Sequence, residues 1–192
     1  MSVTATHIRE ATSEMQRALG DAADADWSVP AGDLEWSCWS TGGHIADDLF
    51  SYASQVIAQP IHGYLPIEAN IEARATPAEL LESVVMCGGL LGLAVSAASP
   101  AARAFHPCGL SDPEGFAAMG VVEVLVHTHD IAGGLDLAWA PPDDLCSGAL
   151  DRLFPDAPAG PPAAVLLWCA GRAPLGGVPR RTTWRWDSSV RP

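Results

Sequence analysis

The chain has 192 residues, 48% hydrophobic and 17% charged, which is the length and composition of one ordinary globular domain rather than a disordered tail. Ten arginines, no lysine and 23 acidic residues leave a formal charge of -13, which repels phosphate backbones and excludes nucleic acid and anionic membrane as expected partners. The apolar stretch around residues 90–98 is broken by glycine and serine, and the N-terminus has no basic n-region or cleavage site, so a cytoplasmic location is expected. Cys38, Cys87, Cys108, Cys146 and Cys169 are odd in number and contain no C-x-x-C pair. They suggest neither a disulfide framework nor a thiolate zinc cluster, and buried thiols are expected.

In chain order, Ile8, Ala11, Met15, Leu19 and Ala22 fall on one helical stripe and predict a first helix over residues 4–23. A loop rich in tryptophan follows, with Trp27, Trp36 and Trp39, and ends at Ser40 and Thr41, either of which can cap a second helix through Ile45, Leu49, Tyr52 and Val56. That helix stops before Pro60. Residues 59–75 have no period and predict an irregular crossing at one end of a bundle. Thr76, Pro77 and Glu79 form a capping box with proline at the first helical position, so a third helix begins there and closes at Pro100. Ser111 and Asp112 before Pro113 open a fourth, mostly apolar helix over 113–132, ended by Gly133 and Gly134. Two short helices are expected at 143–154 and 163–171, with residues 182–186 an extended strip. The expected fold is all-α: a four-helix bundle over 1–137 with a C-terminal extension, 138–192, packed on it as one domain.

Within the fourth helix, Glu123 and His127 are four residues apart, so they point the same way with about 6 Å between Cβ atoms. A carboxylate and an imidazole on an apolar helix are costly to bury unless paired; a hydrogen-bonded pair or a divalent cation satisfies them. His129 lies about 200° around from His127 and faces away. His44, on the first turn of the second helix in a polar seam with Asp48, Ser51 and Gln55, is the best third ligand. Two imidazoles and a carboxylate with an open fourth position suit catalytic zinc, and nickel, iron or manganese accept the same donors. Asp47, Asp48 or Asp130 could orient an imidazole, although an ordinary solvated carboxylate is the default for each. Cys38 could approach the site but is expected to pack. Trp36, Trp39 and Trp168 are the first tryptophans to consider for a substrate pocket. Read instead as a strand, 121–126 would put Glu123, His127 and His129 on one face, loosely like the H-x-H-x-D-H motif of metallo-β-lactamases; no histidine follows the aspartate at the required step, and the cap favours a helix.

The aromatic loop, the helix-two histidine and the run E-V-L-V-H-T-H-D at 123–130 resemble the DinB-like metalloenzyme superfamily, and within it the N-terminal domain of mycothiol-dependent maleylpyruvate isomerase. The likeness covers roughly residues 1–137, with I-E-A-R-A-T-P-A-E-L at 71–80 similar to the family's run into helix three. It implies that His44, Glu123 and His127 are the metal ligands, that the metal is zinc, and that a low-molecular-weight thiol such as mycothiol is activated there as a thiolate. A homodimer through bundle faces is compatible with it. The isomerase has a separate C-terminal domain that helps to form its active site, whereas some 55 residues follow the bundle here, which weighs against maleylpyruvate itself. Arg74 and Arg103 are the nearest arginines for a substrate carboxylate. The function expected is a metal-dependent enzyme that directs a thiol or a water at a small electrophile; the alternative is a non-catalytic helical binding or interaction protein with a vestigial or structural metal site.

Overall fold

A computed structural model describes residues 2–190. The described residues form an all-helical chain with no named strand: α1 (Ala5–Leu19), α2 (Cys38–Ala58), α3 (Pro77–Ala97), α4 (Pro113–Gly134), α5 (Asp143–Leu153) and α6 (Pro162–Cys169). A 3-10 turn, Gly20–Ala22, extends α1 to nearly the length its stripe predicts. The strand reading of 121–126 is thereby overturned, since these residues lie in the middle of α4. The caps explain the boundaries. Thr76 accepts from Glu79 N–H while Glu79 reaches back to the cap, and Asp112 accepts from Gly115 N–H ahead of Pro113. The second helix starts earlier than Ser40 and Thr41 would place it. Its cap is Ser37, whose hydroxyl accepts from Ser40 N–H, so Cys38, Trp39 and Ser40 are already helical.

The four long helices pack side by side, each of α1 and α2 lying against both α3 and α4. Their directions follow from the close contacts. Phe116 faces Tyr52 and His127 faces His44, so α4 runs antiparallel to α2. Gly42 abuts Leu80, while Gly120 meets both Leu49 and Leu91, so α2 and α3 run the same way; Gly88 against Thr12 and Gly92 against Ala5 make α1 antiparallel to α3. Residues 59–76 are the long crossing that this parallel pair requires. α3 is long and apolar enough by composition to cross a membrane. One flank buries Leu80, Leu81, Val84 and Leu91 in the core, and Met86, Leu90 and Leu93 face outward.

α4 is the central element. Eighteen of its residues, including Phe116, Met119, Val122, Leu125 and Ile131, are buried. Its C-terminal end is gripped by the tryptophan loop, where a Cβ on Gly134 would collide with Pro30 O and stand 2.7 Å from Cys38 Sγ and 3.0 Å from Ala31 Cα. Two of these obstacles are backbone and cannot rotate away. Gly134→Ala is therefore expected to destabilise the fold by about 1–3 kcal/mol, read as a lower denaturation midpoint with an unchanged slope in urea.

Candidate metal centre

His44, Glu123 and His127 converge: one ligand atom from each lies within 4.8 Å of the other two. Glu123 Oε2 is 3.2 Å from His127 Nε2 and 4.0 Å from His44 Nε2. These two distances lie on either side of the edge of about 3.4 Å that a tetrahedron of bonds near 2.1 Å would have, and the three donors together could hold a metal ion. Glu123 and His127 are buried by α4's packing, and His44 is half-buried at the edge.

Each ligand is oriented by a further contact. Tyr52 Oη donates to Glu123 Oε1 at 3.4 Å. His127 Nδ1 lies 3.0 Å from Asp130 Oδ2, which leaves Nε2 facing the cluster. Trp36 stands edge-on to His44 with ring centroids 5.0 Å apart. Asp48, four residues after His44, places Oδ2 3.1 Å from His44 Nε2 and makes a fourth polar side chain at the centre. Asp130 is not the solvated carboxylate expected by default; it is buried, and it also receives Arg172.

The charged groups crowd one another. Burial and the neighbouring Glu123 charge push the Asp48 carboxyl up to about 9. Burial opposes a charge on His127, but hydrogen bonds to Asp130 and Glu123 outweigh it and raise the imidazole to about 9. Burial raises Glu123 too, and the bond from His127 overcomes it to hold this carboxylate below its usual range. His44 is lowered, chiefly by burial. A crowd of two carboxyls and two imidazoles that can satisfy itself only by sharing protons is the environment a divalent cation relieves.

The open side is a groove of about 390 Å³ beside His44, lined by Trp36, Trp39, Gly43, Asn70 and Ile71 among others. The crossing roofs it: Ala69 N–H donates to Asp47 Oδ1 at 2.7 Å, and Trp39 Nε1–H donates to Ala75 O at 3.1 Å. Asp47 is thus a loop anchor rather than an orienter of histidine. Outside this lining, Tyr52 also meets an aromatic cluster. His106, buried and pushed down to about 4 by desolvation, stacks near Tyr52, Tyr64 and Trp186. Apart from Tyr52 on α2, the residues of this aromatic cluster come from loops and the tail, where no periodicity marks them.

Other expectations fall away from the centre. Cys38, the first residue of α2, is buried with Sγ 3.8 Å from Pro30 O and Ile131 O, and it is not part of the cluster. Trp168 donates to Pro179 O and carries Arg181 on its face at 4.9 Å, in a different groove. Arg74 is paired with Glu72 on the surface, and Arg103 donates to the carbonyls of Pro100 and Ala102, so neither is committed to a substrate carboxylate. His129 faces away, as helix phase requires, and lines a separate cleft with Gly32, Asp33 and Arg180. No family model, curated protein or solved structure matches the chain, so the centre is read from its geometry and donor chemistry.

The shifts fix a pH dependence for metal-free protein. A folded-state pKa above the unfolded value contributes stability that is lost as pH rises: His127 from 6.5 towards about 9, Asp48 from 3.8 towards about 9. The melting temperature of chelator-treated protein is expected to fall between pH 6.5 and 9, and Asp48→Asn to flatten that fall. A melting temperature unchanged across this range would contradict the assignment.

Proposed function

We propose that this protein is a metal-dependent enzyme with a DinB-like four-helix bundle, in which His44, Glu123 and His127 hold a divalent cation, zinc before nickel, iron or manganese. It activates a low-molecular-weight thiol such as mycothiol, or a water, for isomerisation, addition or transfer on a small electrophilic substrate in the cytoplasm. The observation that carries this reading is the convergence of the three donors beside an open groove. The helix directions, with α2 and α3 parallel across a long crossing, are in keeping with it.

A cation in this position supplies Lewis acidity, lowering the pKa of a bound thiol or water into the neutral range. The protein's own groups do the rest. Tyr52 holds the Glu123 carboxylate in place, and Asp130 fixes the His127 ring so that Nε2 faces inward. Asp48 lies 3.1 Å from His44 Nε2 and is the carboxyl group nearest that ring, placed to orient it. Trp36, Trp39 and Ile71 offer apolar surface to the body of a substrate. Among the described residues no arginine lines the groove, which supports a substrate other than a dicarboxylate such as maleylpyruvate.

One observation favours the second reading, a non-catalytic binding or interaction protein. Asp48 already pairs with His44, and Tyr52 with Glu123, so the polar groups can be satisfied among themselves. Elemental analysis separates the two. Protein purified without chelator is expected to carry about one equivalent of divalent metal per chain, and His127→Ala to carry none. Cobalt-loaded protein is expected to develop a sulfur-to-cobalt charge-transfer band when a thiol is added. Folded protein that takes up no zinc or cobalt at neutral pH would overturn the proposal in favour of the scaffold.

A further inference from the structure

The buried chain of contacts does not stop at Asp130. Its carboxylate accepts from Arg172 Nε at 3.1 and 3.3 Å and from Nη2 at 2.9 Å, a fork-shaped, charge-assisted pair. Arg172 comes from the segment just after α6, forty-two residues away in sequence, and its side chain is 14% exposed. Its aim is set by local backbone. Arg172 N–H donates to Leu167 O at 2.7 Å, Nη1 donates to Ala170 O at 2.8 Å, and the guanidinium lies 5.8 Å over the Trp184 ring. Gly171 turns the chain with φ +69°, where a Cβ would stand 2.7 Å from Arg181 O. A turn of this shape, closed by the tail on one side and α6 on the other, leaves the guanidinium with Asp130 as its only carboxylate partner among the described residues.

We infer that Arg172 is a positioning residue of the metal centre: by fixing Asp130 it fixes the His127 imidazole, so the C-terminal segment sets how tightly the bundle holds its cation. The inference rests on the metal reading proposed above. The order of the contacts supports it, because the arginine touches no ligand and reaches the cluster only through Asp130. A guanidinium serving only to staple the tail would need no such alignment with a histidine's second nitrogen. The carboxylate–histidine pair is the device that orients metal-bound imidazoles generally, and loss of such an outer partner weakens metal affinity about 10–100-fold.

The test is chelator competition with zinc on the full-length protein, wild type against Arg172→Ala, Arg172→Lys and Asp130→Asn, with metal-free melting curves and the visible spectrum of the cobalt-loaded forms recorded beside it. Arg172→Ala is expected to lose about 10–100-fold in zinc affinity and to shift the cobalt spectrum, with Arg172→Lys intermediate. Wild-type protein that binds zinc while Arg172→Ala and Asp130→Asn bind it equally well, whatever their melting temperatures, would overturn the inference and leave the metal site standing. Wild-type protein that binds no zinc would overturn both. If Arg172→Ala does not fold, Arg172→Lys and Asp130→Asn decide on the same criterion.

Discussion

The structure is organised around the cost of placing a carboxylate and an imidazole inside an apolar helix. α4 is buried along nearly its whole length, and Glu123 and His127 sit in that dry setting one turn apart. An isolated charge there is far less stable than in water, so every neighbouring polar group answers it. Tyr52 comes from α2, His44 and Asp48 from the first half of α2, Asp130 from the next turn of α4, and Arg172 from beyond α6. The centre is therefore less a decoration of the fold than the point at which its separate elements are required to agree.

The charge arrangement also explains why the groups are graded in depth. Glu123 and His127 are shielded by the core, His44 is half-exposed under Trp36, and the groove begins beside His44. A donor at the rim with two donors behind it leaves one side of the cluster facing solvent. The crossing at 59–76 narrows that opening through Asp47 and Trp39 without filling it.

Much of this is legible in the sequence because the signals are local. The Thr76–Glu79 box and the Asp112–Pro113 start are cap chemistry, the three- and four-residue stripes give the helices, and the spacing of Glu123 and His127 places them on one face whatever the rest of the chain does. Helix phase alone sets His129 aside. What is not legible depends on which elements meet. Asp130 reads as a surface carboxylate because nothing near it in sequence shows that Arg172 returns to it, and His106 carries no signal because a turn has no period. The start of α2 is misplaced for a milder reason. Ser37, Ser40 and Thr41 can each cap, and the choice is made by the tryptophan loop, where Cys38 N–H donates to Val29 O and Trp39 N–H to Trp27 O. Trp168 lines a groove away from the cluster for the same cause as Asp130: α6 packs on α5 and its indole donates to Pro179 O.

The separation of the donors along the chain has a consequence for how the protein reaches its native state. Glu123 and His127 come into register as soon as one helical turn forms, on the microsecond timescale of local structure, whereas His44 joins them only after the intervening chain has collapsed, and Arg172 only once the segment after α6 has been synthesised. On the ribosome the pair on α4 emerges well before its final partner. Until then Glu123 and His127 have only each other and Asp130 for company, and the buried carboxylate–imidazole pair gains its full set of partners only when the segment after α6 docks.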